Sequence, residues 1–351
     1  MTDPAGNQAP SASAAPTNNL PPANNTGPVV EIDETVVDRN DGNDSTYGDE
    51  LSTYTASITS SVLAHEYKHG RRYHSYHAGN YQFPNDEPEQ DRLDMCHHVY
   101  YRSLGDRLFL APINLDGKRV LDIGTGTGIW AMQLGELYPK AELIVGNDLS
   151  PIQPHWVPPN VKFLIDDVEQ EWLEPKSYDF IHSRYMVGSI RDWPKLIRQC
   201  YQHLKPGGWV EFQDTTNRLY SEDGTLDPEN NVLKLMNNLI EACGRIGIPG
   251  DFAPRIKGEL EKAGFVNVQE KIFKVPVGAW PKDKRLKEIG AFTALQFIEG
   301  VEGLTAATFS EILGWSKEEI TVFNAKVIAD CKRRDVHCMH EIRVIFGQRP
   351  E

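Results

Sequence analysis

Between residues 119 and 215, short apolar runs alternate with stretches of helical spacing, and most runs end in small or polar residues. Arg119–Ile123, 142–146, Val161–Ile165, 178–181 and 209–212 have the length and continuous apolarity of buried strands. The segment from Ile129 to about Leu137 has helix composition. So does the one opened by Asp192-Trp193-Pro194 and carried by Leu196, Ile197, Cys200 and Leu204. Pro194 suits a first helical turn, and Lys205-Pro206-Gly207-Gly208 is a stop. Strands alternating with helices imply a parallel sheet with right-handed crossovers. Further on, Val232, Leu235, Met236, Leu239 and Cys243 fall on one helical face and predict a core-facing helix. A helix over 255–262, stopped at Ala263-Gly264-Phe265, precedes a sixth strand over 266–275. Helices follow near 284–299 and 316–332, the second opened by the capping box Ser316-Lys317-Glu318-Glu319. A seventh strand at 340–346 completes an α/β fold with a seven-stranded, mostly parallel sheet.

Upstream the pattern is different. Residues 61–70 read as a short helix stopped by Gly70. Tyrosines, histidines and arginines then crowd together from Arg71 to Phe83. Asp86-Glu87-Pro88-Glu89-Gln90-Asp91 leads into a helix through Leu93, Cys96, His97, Tyr100, Leu104 and Leu108, with acids where the helix dipole favours them.

Charge and composition separate the first residues from the rest. Residues 1–58 hold nine acids against one base, a balance of −8 out of −14 for all 351 residues. With so few apolar residues this tail cannot offset chain entropy, and it reads as disordered. The remainder is mildly acidic, which argues against unaided binding to nucleic acid. No apolar run approaches a membrane span. The five cysteines are scattered and no secretion signal is visible, which predicts reduced thiols in the cytoplasm or nucleus. His337-Cys338-Met339-His340 fits no zinc spacing, so no metal is expected.

The candidate chemistry sits at Val120-Leu121-Asp122-Ile123-Gly124-Thr125-Gly126-Thr127-Gly128. A strand ends in a glycine-alternating turn that opens a helix, so backbone N–H groups face a ligand. The dinucleotide spacing G-x-G-x-x-G is not met, because the third glycine comes one residue early. Asp122, two residues ahead of the first glycine, would repel a pyrophosphate and attract an ammonium or sulfonium. This D-x-G-x-G-x-G run resembles motif I of class I S-adenosylmethionine methyltransferases. Asp148, about twenty residues past the glycines, is placed to accept hydrogen bonds from ribose hydroxyls, with Leu149 beside it in the cofactor site.

The resemblance extends further. Gly70-Arg71-Arg72-Tyr73, Tyr81, Pro84-Asn85-Asp86-Glu87 and the run from Glu89 to Asp94 resemble the segment before motif I in fungal LaeA-like methyltransferases. So do Gly146-Asn147-Asp148-Leu149-Ser150-Pro151 and Gly207-Gly208-Trp209-Val210-Glu211-Phe212-Gln213-Asp214. The likeness covers roughly residues 65–349. It implies a Rossmann-like methyltransferase domain over 59–351 behind the tail, with an N-terminal helical lid (59–110), a donor-binding core (111–216) and acceptor-side helices with closing strands (217–351). It implies S-adenosylmethionine as cofactor, held by Gly124, Thr125, Gly126, Thr127 and Gly128. Asp167-Val168, or else Asp166, would read adenine. Ser183 and Arg184 would face the methionine half, unless Arg184 only pairs with a helix carboxylate. Tyr73 and Tyr81 belong either to a lid or to packing of the N-terminal segment. Should the acceptor need deprotonation, Asp214, His74, His77 and Glu211 are the candidates, with Asp214 best placed. Family members divide between enzymes that methylate small metabolites and regulators that act with velvet-type partners, and these motifs describe only the cofactor half.

Overall fold

In the computed structural model, which describes residues 66–74, 81–173 and 177–351, the chain opens on a hairpin. Glu66–Lys68 (β1) and Arg71–Tyr73 (β2) pair antiparallel. His69 and Gly70 turn between them at φ 52° and 77°. The expected helix is therefore corrected in its described part: Gly70 supplies a left-handed turn position between strands, not a helix stop. The tail, the first residues of that expected helix and His77 lie outside the described residues. Glu87–Ser103 (α1) follows, with the Asp86 carboxylate accepting from the Glu89 N–H as its cap. Arg71 donates to both oxygens of the same carboxylate, at 2.6 and 2.7 Å, so the helix cap also anchors the hairpin.

The remaining strands form one seven-stranded sheet. They are Arg119–Ile123 (β3), Leu143–Asp148 (β4), Val161–Ile165 (β5), Tyr178–Arg184 (β6), Leu204–Thr215 (β7), Val266–Pro276 (β8) and Met339–Gln348 (β9). Their order is β5-β4-β3-β6-β7-β9-β8. Neighbours from β5 to β7 run parallel, while β9 runs antiparallel to both β7 and β8. The helices are Ile129–Leu137 (α2), Trp193–His203 (α3), Asn231–Arg245 (α4), Ile256–Ala263 (α5), Lys284–Ala307 (α6) and Lys317–Cys331 (α7). The Ser316 capping box of α7 is present in full.

The period of a strand divides the core in two. Val120, Ile144 and Phe180 pack with Trp130 of α2 and Tyr100 of α1 on one face. Leu121, Ile123, Val145 and Ile181 pack with Trp193 and Ile197 of α3 on the other. Burial on both faces is why these strands read as unbroken apolar runs. A third cluster, including Leu235, Val301, Phe309 and Val327, lies between α4, α6 and α7, apart from the sheet cores.

Helix α6 runs well past the expected end near residue 299. Gly300 and Gly303 do not break it, because they are where neighbours come closest. A Cβ at Gly300 would strike the Arg92 stem, and one at Gly303 would crowd Arg71 and Pro84. Gly290 is tighter, since a Cβ there would overlap the backbone carbonyl of Gly278. Gly290→Ala is accordingly expected to lower stability by about 1–3 kcal/mol through overpacking. Gly244→Ala, with nothing within 4 Å of the added carbon, should leave the melting temperature unchanged or raised. Thermal melts of the two variants check the contrast.

Candidate active site

The strand order reverses at β3, and ligands in open parallel sheets collect beyond the carboxyl ends of the strands at such a point. A cleft of about 1220 Å³, including its mouth, lies there. Its floor is the turn after β3. Gly124, Gly126 and Gly128 have φ of 64°, 58° and 82°, the left-handed region that glycine enters without a steric cost. Gly128 caps α2 with no side-chain hydrogen bond, which leaves the first helical N–H groups directed toward the turn.

Two aspartates hold this turn. Asp148, at the end of β4, accepts from the Gly126 N–H and from the Ser150 N–H, each at 2.9 Å. Gln153 Nε2 donates to the Gly126 and Ser150 carbonyls, lacing the turns after β3 and β4 together. Burial raises the Asp148 pKa above the ordinary carboxylate value, against those backbone bonds. Each Asp148 oxygen retains a lone pair for a further donor. Asp122 is used differently from the sequence-based expectation. One of its oxygens accepts from Thr125 Oγ1 at 2.6 Å, and the other is bonded to His182 Nδ1 at 2.7 Å. His182 in turn lies flat on Trp130, with centroids 3.7 Å apart and planes 1° from parallel. Burial holds this histidine below its usual pKa. Asp122 thus lines the cleft but first serves as the buried peg of the turn.

Arg184 ends β6 at the opposite wall. Its Nη2 lies 2.6 Å from His97 Nδ1, and its guanidinium sits 5.6 Å from the centre of the Tyr100 ring. His97 Nε2 lies 3.0 Å from Gln133 Oε1, an arrangement in which Nδ1 accepts from the arginine. Burial and then the Arg184 charge depress the His97 pKa, so it accepts as a neutral ring. Arg184 forms no ion pair with any described carboxylate. A buried guanidinium with open donors fits the carboxylate of an amino-acid moiety.

Tyr81, Asp122, Gly124, Thr125, Gly126, Thr127, Asp148, Leu149, Asp166, Asp167, Val168 and Arg184 all line the cleft. Six other described candidates do not. Gly128 packs against the Phe163 ring, which a Cβ would strike. Ser183 is 1% exposed and alternates away from the cleft along β6. Tyr73 is buried in the hairpin, with its hydroxyl pushed up to about 12 by desolvation. His74 is buried 6.0 Å from the Tyr81 ring, behind the cleft wall. Asp214 lies beneath the chain that follows β6. It accepts from the N–H groups of Met186, Val187 and Thr215 at 3.0–3.1 Å. Burial raises it to about 7. Glu211, likewise raised to about 7 by burial, accepts from the N–H groups of Leu110 and Ala111. Both acids are spent on fixing loops.

Other lining residues escaped the sequence reading. His97 and Tyr100 were placed only on the apolar side of α1, and Tyr185 and Met186 were not singled out. The available signal was the set Glu89, Arg92, Cys96, His97 and Tyr100, polar groups at helical spacing on the buried face of α1. A second cavity of about 780 Å³ adjoins the first, and Tyr81, Tyr185 and Ser189 line both. Among the described residues no group of three potential ligands is placed to hold a metal ion.

This sheet order with one reversed strand, the acid-pinned glycine turn and the aspartate ending β4 define a class I S-adenosylmethionine-dependent methyltransferase. Comparison with known proteins carries this further. The methyltransferase domain family matches residues 95–270. The chain is 57% identical over 294 residues to methyltransferase pytC of Aspergillus terreus, covering 84% of this chain and 91% of that one. It is 35% identical to the secondary metabolism regulator LAE1 of Cochliobolus heterostrophus, with 81% and 94% covered. Identity is 33% to the protein-methionine methyltransferase laeA of Emericella nidulans, with 81% and 76% covered. The chain belongs to the methyltransferase domain family, in its LaeA-like branch.

The two bonds at Asp148 make it the most exacting test of the site. Asp148→Ala should weaken S-adenosylmethionine binding by about 1–3 kcal/mol, read by calorimetry, with the far-ultraviolet circular dichroism unchanged. Unaltered affinity would remove Asp148 from the donor site.

Proposed function

We propose that this protein transfers a methyl group from S-adenosylmethionine to an oxygen or nitrogen of a small secondary metabolite. The observation that carries this reading is the continuity of the two cavities. The donor cleft meets a second, mainly apolar chamber across Tyr81, Tyr185 and Ser189. Its walls, formed by Phe83, Leu219, Met236, Leu239, Phe297 and Leu304 with a few polar groups among them, have the composition of a small-molecule site. The 57% identity to a relative named as a methyltransferase, over most of both chains, supports the same reading.

In this proposal each residue has a modest task. Asp148 accepts from the ribose hydroxyls. Asp167 accepts from the adenine amine, with the Val168 N–H donating to the ring, and Asp166 is the alternative acid. Arg184 receives the donor's carboxylate. Bound S-adenosylmethionine supplies an electrophilic methyl carbon and a thioether leaving group. Tyr81 and Tyr185 keep neutral phenols, because burial raises both pKa values, Tyr185 to about 12. Their rings can shield a cation and exclude water at the junction. What remains for the protein is to align a nucleophile opposite sulfur.

A second reading rests on the relative named as a secondary metabolism regulator, at 35% identity, and on the one named as a protein-methionine methyltransferase, at 33%. In that reading the chain is a subunit working with velvet-type partners in the cytoplasm or nucleus, and any methyl transfer is to protein. Incubation of purified protein with radiolabelled donor and fungal lysate separates the two. Label is expected in the organic-soluble fraction, and counts confined to protein would favour the regulator. Arg184→Leu should raise the donor KM at least tenfold, because a buried charge-assisted contact is worth about 1.5–3 kcal/mol. An unchanged donor KM would place the carboxylate elsewhere.

A further inference from the structure

The chamber beside the donor cleft contains polar atoms that nothing among the described residues satisfies. His340 is 8% exposed and lines this chamber. Its Nε2 is buried and has no hydrogen-bond partner. Gln296, also lining the chamber, has a buried Oε1 in the same condition. A buried polar atom without a partner is costly, and it marks a place where a ligand can supply the missing bond.

The chemistry of His340 follows from its other nitrogen. Nδ1 lies 2.7 Å from Thr215 Oγ1. That hydroxyl has two backbone carbonyls to donate to, Thr216 at 3.1 Å and Glu341 at 3.2 Å. With its single proton directed to a carbonyl, Thr215 Oγ1 accepts from Nδ1–H. This tautomer leaves a lone pair on Nε2 facing the chamber. Burial lowers the His340 pKa to about 4, so the ring is neutral near pH 7.

The lining narrows the ligand class. Among the lining residues there is no Asp or Glu to pair with an ammonium. The lining cation, Arg92, is already held by both oxygens of Glu89 at 2.7 and 2.9 Å, so an anion finds no free partner. Two unsatisfied acceptors require donors from the ligand. Phe83, Leu219, Met236, Leu239, Phe297 and Leu304 supply the apolar walls.

We propose that this chamber takes a neutral aromatic or enolic hydroxyl compound and that His340 is the catalytic base for its O-methylation. This deepens the small-metabolite reading above and rests on it. As the acceptor oxygen bonds to the methyl carbon, the S–CH₃ bond breaks and its electron pair stays on sulfur. The hydroxyl proton, made strongly acidic by the new bond, passes to His340 Nε2. The imidazolium so formed keeps its Nδ1–H bond to Thr215 and later releases the proton to water. His340 reaches this place because β9 runs against β7. The start of β9 therefore lies at the carboxyl edge of β7, where Thr215 pairs with Ile342.

The test uses the full chain with S-adenosylmethionine and three probes of one shape: naphthol, naphthylamine and naphthoic acid. Calorimetry with S-adenosylhomocysteine present should show naphthol binding at least tenfold tighter than naphthoic acid. Naphthol turnover should fall at least a hundredfold in His340→Phe, as expected for loss of a general base, with donor affinity within twofold of the parent. Met236→Trp, which fills the chamber from α4, should abolish naphthol binding and spare donor binding. Equal or tighter binding of the acid, or methylation of naphthylamine at the naphthol rate, overturns the ligand class. A kcat in His340→Phe within threefold of the parent overturns the base assignment. Failure of the small-metabolite reading itself would show separately, as radiolabel confined to protein in the lysate experiment.

Discussion

The site depends on the buried carboxylate of Asp122. One oxygen is tied to the Thr125 hydroxyl and the other to His182, which rests on Trp130. Through these bonds β3, β6 and α2 share one anchor, and the turn between β3 and α2 acquires a single shape. The left-handed glycines permit that shape, while Asp122 selects it. Asp148 then holds the same turn from the neighbouring strand by the Gly126 N–H. An acid ahead of the glycines is therefore structural before it is electrostatic, and any attraction to a cation acts on a turn already fixed.

The sheet topology explains why the two cavities meet. Strands β3 to β6 deliver polar groups to one edge because they run parallel. Strand β9 contributes to that edge for the opposite reason, entering it with its first residues. Between the two sets, the chain after β6 is held from beneath by Asp214, which receives the Met186 and Val187 N–H groups. Tyr185, at φ 58°, is turned so that its ring lines both cavities. Arg92 braces it from α1, with Nη1 3.3 Å from its hydroxyl.

Much of this was legible in the sequence because it is local. Strands buried on both faces appear as apolar runs, and a glycine turn between strand and helix announces itself by spacing. The Asp148 position followed from chain distance alone. Pairing across the fold was not legible. Gly70 stops a helix or turns a hairpin depending on whether Glu66–Lys68 finds Arg71–Tyr73, and no local residue decides that. Asp214 does lie near the carboxyl end of β7, but it does not line the cleft, because the Met186 and Val187 N–H groups give it other work. His340 was weighed as a zinc ligand, set aside on spacing, and otherwise read as the first residue of a strand. Its relation to Thr215 depends on an antiparallel neighbour 125 residues away.

The separate cluster between α4, α6 and α7 has a consequence for how such a protein can diverge. Leu219, Met236, Leu239, Phe297 and Leu304 belong to that cluster and also face the chamber. Trp130, Trp193 and the strand interiors that hold the glycine turn belong to the other two. If the chamber holds the acceptor as proposed, recutting its wall for a differently shaped guest leaves the packing behind the glycine turn undisturbed, and new specificities can arise without rebuilding the part that carries the methyl group.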